Sequence, residues 1–382
     1  MRSTTTTTTI ALSAMLSVGC PDSGGGGDDS GASTGQATVG SSSGTPTDLS
    51  TTGTPTPTPA DTTGSSGGAD DTSTDGGSTD DGSTDDGSSG STGEQLETID
   101  CDLAPTMVVS TTLIPNARGY HGLAITPDGL IIGSDNSSLI ASTYEGKTSV
   151  FIPGADIGQQ MDWLPDGDIA FVGDSALLRL GLKGTSEVIQ STSGAYGVTI
   201  GSDGMAYVVT WNGLTRIDPV SGAQENLFVV NGGTSLHSMG FSPDGTRAYI
   251  GTVGDGRIYY VDFDDEMNPT TDLELFAYAE SSGGSGWHDA VAVDACGNLF
   301  VPDYSSSNMW RVTPAGDAEH FWVAQFDDYG HGAVWGTGEH GWKSDALYVP
   351  QPYNQNTVTE VVVGVPSNKY EGPVINAVPM RP

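Results

Sequence analysis

Six residues of this chain share one register: His121, Gln159, Tyr196, His237, Asp289 and His331. Each opens a short apolar run and stands seven residues before a tight turn, several of them Asp-Gly turns. Three of the six are imidazoles and one is a carboxylate. Neutral imidazoles joined by a carboxylate make a ligand set for a divalent cation such as zinc, iron or manganese. Calcium is less suited, because it asks for an all-oxygen cage. A cation in such a set lowers the pKa of a bound water toward neutrality and so supplies a nucleophile. Ligation requires neutral imidazole, so binding is expected to weaken below about pH 6. Gln159 and Tyr196 complete the ring and are candidates to orient a substrate. His288, beside Asp289, is a further candidate for catalysis. Tyr120, Trp287 and Tyr329 flank the set and offer apolar walls with polar tips to a small organic ligand. The competing reading is a polar channel whose histidines bond backbone and water, with aromatics that only pack between structural units. Asp135, Asp174, Asp255 and Asp303 close later runs and are expected to cap loops. His320 and His340 fall outside the register.

The register exists because the chain repeats. HGLAITPDG, QMDWLPDG, YGVTIGSDG, HSMGFSPDG, DAVAVDACGN and HGAVWGTGEHG are followed by LIIGS, IAFVG, AYVVT, AYIGT, LFVPD and ALYVP. A repeat of about forty residues, built from short β-rich runs and Gly-rich turns, is that of a β-propeller blade. The expected fold is all-β: a six-bladed propeller with four antiparallel strands per blade. In a propeller the residues that open the inner strands converge on the channel axis at one face. The early run TMVVSTTLI (106–114) is expected to pair with the last blade and close the ring.

Composition divides the chain into residues 1–20, 21–97 and 98–382. The first part has Arg2 and a modestly apolar run that is too short to span a bilayer. The second is nearly all Gly, Ser, Thr, Asp and Pro, with no Lys or Arg between Arg2 and Arg118. It cannot bury enough apolar area to fold and is expected to be a disordered, extended tether. The third is the propeller. A net charge of −36 argues against nucleic acid as a partner. A small molecule or a protein is the expected partner, and the domain is expected to act as a monomer. Cys101 and Cys296 both lie in turn or linker sequence, and an exported domain invites them to pair.

Two resemblances sharpen these readings. Val18-Gly19-Cys20 resembles the lipobox of bacterial lipoproteins, with Ser17 where leucine is usual. It implies export, cleavage before Cys20, lipidation there, and attachment to a bacterial membrane by the lipid anchor alone. DAVAVDACGNLFVPDYSSSNMWRVTPAG (289–316) and HSMGFSPDGTRAYIGT (237–252) resemble blades of SMP-30/gluconolactonase-like propellers, with kinship to NHL repeats. That resemblance implies a lactonase or related esterase holding a cation, usually calcium, with a Glu, Asn and Asp that open inner strands. Asp289 matches the aspartate. His121 stands where the Glu is expected and His237 replaces the Asn, so the calcium cage is not reproduced. His121-Gly122-Leu123 and His237-Ser238-Met239 are similar to motifs of peptidyl-hydroxyglycine lyases, propellers that hold zinc with channel histidines. Streptogramin-lyase propellers also use channel histidines. The function implied is a metal-dependent hydrolase of lactonase type, or a lyase, acting on a small molecule at the channel mouth. The alternative is a non-catalytic propeller that binds a ligand or a protein.

Overall fold

The computed structural model describes residues 99–367, except 136, 156–158, 174, 231–232, 281–285, 324–329 and 353–356. The expectations for Cys20, for 1–97 and for Tyr329 and Asp174 lie outside these residues.

The fold is a six-bladed β-propeller of four-stranded antiparallel sheets. Blade one holds β2 (Leu123–Ile125), β3 (Leu130–Ser134), β4 (Ser138–Thr143) and β5 (Thr148–Pro153). Blade two runs from β6 (Met161–Trp163) to β9 (Thr185–Ser191), and blade three from β10 (Ala195–Ile200) to β13 (Gln224–Val229). Blade four runs from β14 (Ser235–Phe241) to β17 (Glu274–Tyr278), and blade five from β18 (Ala292–Val293) to β21 (Ala318–Val323). Blade six combines β22 (Val334–Trp335), β23 (Ala346–Gln351) and β24 (Thr357–Val362) with β1 (Ser110–Ile114), which forms its outer edge. The ring is therefore closed by the first strand, as the run at 106–114 suggested. Closure removes the edge that an open sheet would expose.

The core lies between the blades. Successive side chains of a strand point to opposite faces. In the second strand of blade three, Ala206 and Val208 pack toward blade two, while Tyr207 and Val209 pack toward blade four. Both faces are covered, so this strand reads as continuous apolar sequence rather than as alternation. Six apolar clusters fill the six seams. The seam between blades six and one is sealed by Trp342, fully buried, whose indole N–H donates to the Gly129 carbonyl at 3.0 Å. Arginines latch neighbouring blades as well: Arg179 donates to the Pro219 carbonyl, and Arg216 to that of Met267.

Cys101 and Cys296 form a disulfide with Cα atoms 5.5 Å apart. It ties the segment before β1 to the first turn of blade five.

Candidate metal centre

Each residue of the register sits where an inner strand begins. Backbone bonds from the second strand of the same blade fix it there: Asp289 N–H donates to the Pro302 carbonyl and His331 N–H to that of Pro350. In blades three and four the ladder slips at this point, between Ala195 and Gly197 and between Leu236 and Ser238. The bulged residues are Tyr196 and His237. A bulge re-aims one side chain without breaking the sheet, and here it turns both toward the axis. A small residue follows each member of the ring except Gln159. The reason is the close approach of the next blade. A Cβ on Gly122 would lie 3.0 Å from the Gln159 carbonyl oxygen, one on Gly197 2.8 Å from that of His237, and one on Gly332 2.8 Å from that of His121.

The predicted ligands converge. Donor atoms of His121, Asp289 and His331 all lie within 4.8 Å of one another. His331 Nε2 is 3.2 Å from Asp289 Oδ2, and the rings of His121 and His331 are 3.8 Å apart. His237 approaches from the other side, its Nδ1 3.4 Å from Asp289 Oδ1. The carboxylate is thus shared: one oxygen faces the His121–His331 pair, the other faces His237.

The electrostatics of this cluster are unbalanced. Asp289 is 3% exposed, and neither of its carboxylate oxygens has a hydrogen-bond partner; His237 Nδ1 has none either. Burial pushes the Asp289 carboxyl well above its ordinary value, and Asp303 nearby adds to the effect. Burial pushes His237 and His331 down to about 3, and the neighbouring imidazoles push the same way. His121, only partly buried by surface, is lowered well below its ordinary value for the same reasons. An imidazolium–carboxylate pair is therefore disfavoured despite the short distances. The tautomer of His331 sharpens the point. Its Nδ1 lies 3.1 Å from the Tyr120 carbonyl oxygen, which can only accept, so Nδ1 carries the proton. Nε2 then presents its lone pair to Asp289 Oδ2. Two acceptors face each other, and a proton or a cation must stand between them. The histidines are already in the neutral form that ligation needs.

Around this cluster runs an aromatic wall. Tyr120 stands edge-on to His121 at 4.6 Å and to His331 at 5.7 Å. Tyr196 stacks on His237 at 4.7 Å. Trp287 meets His237 at 6.2 Å, and its indole N–H lies close enough to Asp289 to favour the ionised carboxylate. Two members escaped the sequence reading: Tyr304, 4.3 Å from His331, and Trp211, 4.5 Å from Tyr196. Both sit at the far ends of second strands, outside the register that guided the reading.

One expected position differs, and one has a neighbour that the register did not single out. Gln160, beside Gln159, makes side-chain bonds: its amide donates to the Asp289 carbonyl at 3.0 Å and accepts from Val198 N–H at 3.2 Å. Gln159 contributes a backbone N–H bond to Val172 O in its own blade. His288 is fully buried, and its Nε2 lies 2.8 Å from the Ala279 carbonyl in the direction of blade four. Neighbouring residues of an extended chain face opposite ways, so Asp289 on the axis sends His288 off it. Asp303 caps the 303–306 turn and the Trp287 amide, Asp135 the 135–138 turn, and Asp255 bonds Thr252 and Arg257, as expected of capping residues. His340 bonds the Pro127 carbonyl and His320 packs on Trp310, both away from the cluster. A cavity of about 370 Å³ lies behind the cluster, walled by Gly122, Gln160, Ala290 and Gly332 and, farther along, by Ser202 and Trp335.

Residues 190–324 match the family described as SMP-30/Gluconolactonase/LRE-like region. No curated protein matches the chain. Among solved structures it is similar to a calcium-binding protein, regucalcin, from Agrobacterium tumefaciens str. C58: 15% identity, 70% of this chain and 98% of that one, TM-score 0.57. It is also similar to a gluconolactonase from Xanthomonas campestris: 12% identity, 67% and 89%, TM-score 0.54. A luciferin-regenerating enzyme matches at 13% identity, 69% and 99%, TM-score 0.56. At these identities the likeness speaks to the fold.

Proposed function

We propose that the domain is a divalent-cation-dependent hydrolase, or lyase, of small molecules, with a cyclic ester as the favoured substrate. The observation that carries this reading is the convergence of His121, Asp289 and His331 around a carboxylate whose two buried oxygens have no partner. Such atoms are costly unless something charged completes them, and a cation does so. His121, His331 and Asp289 would hold it, with His237 on the second carboxylate oxygen. The donor set favours zinc, iron or manganese over calcium. A cation in that position supplies Lewis acidity and lowers the pKa of a bound water. The chain's own groups do the rest. The Tyr120 carbonyl fixes the His331 tautomer, Gln160 holds the Asp289 main chain, and Tyr120, Tyr196 and Trp287 wall the mouth and keep a ring-shaped ligand in place. The similarity of residues 190–324 to a family that includes gluconolactonases supports the lactonase choice.

Elemental analysis of the purified protein, followed by titration of the metal-free form with zinc, manganese and calcium, is the test. Binding of a transition metal that His331→Ala and Asp289→Asn abolish, together with lactone hydrolysis that chelators stop, is expected. If the protein binds no cation, the rival reading takes over. A non-catalytic ligand-binding propeller is favoured by the neutrality of the histidines, which lets the cluster stand as a polar channel without a cation. We also read the chain as exported and lipid-anchored through Cys20, in a compartment where the Cys101–Cys296 disulfide persists.

A further inference from the structure

A second cavity, of about 250 Å³, opens between blades two and three. Its lining is unusual for this chain. The sequence has 48 acidic and 12 basic residues, yet among the described residues no charged side chain lines this crevice. Hydroxyls and amides do: Thr192, Ser193, Thr210, Asn212, Thr215 and Asn226, over a floor that includes Val208 and Phe228. Below this level the same seam is filled by apolar residues such as Leu177, Ile189 and Ile217. The polar stretch is thus a local departure from the way the blades otherwise pack.

Two side chains have capacity left over. Thr192 is 8% exposed, and its hydroxyl has no partner among the described residues. A buried hydroxyl left so costs free energy that a bound group would recover. Asn226 uses its amide oxygen to accept from Thr215 at 3.0 Å, which leaves its NH₂ to donate.

Trp211 lies in sequence between the lining residues Thr210 and Asn212 but is not part of the lining. It is 38% exposed and packs over Gly194, where a Cβ would come within 2.9 Å of the indole. Its other side meets Tyr196, which stacks on His237. The indole therefore belongs to the aromatic wall of the candidate metal centre.

We propose that this crevice is a docking site for a neutral saccharide ring, with Val208 and Phe228 as its apolar floor. A sugar ring has an apolar face for such a floor and a rim of hydroxyls that both donate and accept. Hydroxyls and amides match that rim without the desolvation cost of a charge. Among the described residues the lining disfavours an anion, having no cationic group, and gives a cation no carboxylate. The proposal goes beyond the hydrolase reading and does not depend on it.

Titration calorimetry and saturation-transfer NMR of the full-length protein with maltose, cellobiose and N-acetylglucosamine test it. At least one is expected to bind with Kd on the order of 1 mM or tighter. Thr192→Val keeps the shape and removes the hydroxyl. It is expected to weaken binding about tenfold, with the zinc titration unchanged and thermal stability equal or higher. Trp211→Ala, outside the lining, is expected to leave saccharide binding unchanged. The exposed Asn212→Ala, whose folding is not in question, is expected to weaken it several-fold. No binding of any of the three sugars overturns the proposal. So does binding that Thr192→Val and Asn212→Ala both leave unaltered, which would place the sugar elsewhere. Loss of metal binding in His331→Ala with sugar binding intact would leave this proposal standing, whatever became of the hydrolase reading.

Discussion

Asp289 is the costliest residue of the candidate centre, and its cost makes the cation reading testable. Its carboxyl is pushed above the ordinary value of 3.8, so the stability it contributes is full below about pH 3.8 and is lost as pH rises through the raised value. His237 and His331 behave oppositely. Their folded values are near 3 against 6.5 in the unfolded chain, so their contribution is full above pH 6.5 and is lost as pH falls toward 3. Asp289→Asn removes the buried charge. The metal-free protein should keep its thermal stability or gain from the change at neutral pH, while the stabilisation by added zinc disappears. A large loss of stability in the metal-free variant, measured by calorimetry, would sink this account, since it would mean that the carboxylate is already satisfied. The same values change the expected pH control of binding. Imidazole protonation near pH 6 is the natural guess from sequence, but these imidazoles stay neutral well below that. The competing proton belongs to Asp289. Nitrogen-15 shifts of the metal-free protein should show His237 and His331 neutral at pH 5, while zinc affinity already falls with each unit of acid. Imidazoles titrating near 6.5 would contradict it.

The inner strands set the geometry of this cluster, and here the sequence was legible in one respect and opaque in another. The turn residues count out the register, so the residues that face the axis can be read without a structure: His121, Tyr196, His237, Asp289 and His331 all lie where the count puts them. Alternation places His288 off the axis, a consequence the pattern contained. What the pattern did not contain is local geometry. The bulges at Tyr196 and His237 leave no mark in residue type, and nothing in the doublet Gln159-Gln160 says that Gln160 bonds the Asp289 main chain. Trp211 and Tyr304 come from other positions of the blade and join the wall only through the packing of the ring. The glycines after His121, Tyr196 and His331 were read in part as a motif; the structure gives their reason as blade-to-blade contact. Gly332 shows both constraints, with φ at +124° and the His121 carbonyl 2.8 Å from where a Cβ would stand. Gly332→Ala should cost about 2–3 kcal/mol and lower the melting temperature by several degrees, because neither backbone can retreat. Gly154→Ala shares the positive φ but meets open space, and should cost only about 1 kcal/mol. Equal costs in the two variants would show that blade contact plays no part.

At the scale of the whole domain, a ring of blades is a row of neighbours that must be joined end to end. Most contacts run between adjacent sequence units; closure depends on few. β1 pairs with β24 along its full length, from Ser110 opposite Val362 to Ile114 opposite Val358. Glu360, fully buried on β24, accepts from Tyr144, Tyr348 and Lys343, tying blade six to the Tyr144 turn of blade one. Both ends of the domain also reach past blade six onto blade five. Val108 N–H donates to the Phe321 carbonyl, Ala295 N–H to that of Pro366, and Cys101 bonds Cys296 across 195 residues of chain. A cross-link spanning that much chain removes unfolded-state entropy worth up to about 5 kcal/mol, a large share of the stability of an ordinary domain. The tie lies at the foot of the propeller's first strand, whereas the candidate ligands open inner strands, so the two should separate experimentally. Cys101→Ser and Cys296→Ser should each lower the unfolding free energy by several kcal/mol and leave zinc affinity at the native temperature unchanged. The compartment enters through the same bond. Protein recovered from an export-competent host should show neither Cys101 nor Cys296 reactive to a thiol reagent in denaturant, and the same domain made in a reducing cytosol should show both, with the lower stability of the serine variants. Two reactive thiols in the exported form would mean that the ring closes on β1 and the Glu360 network alone.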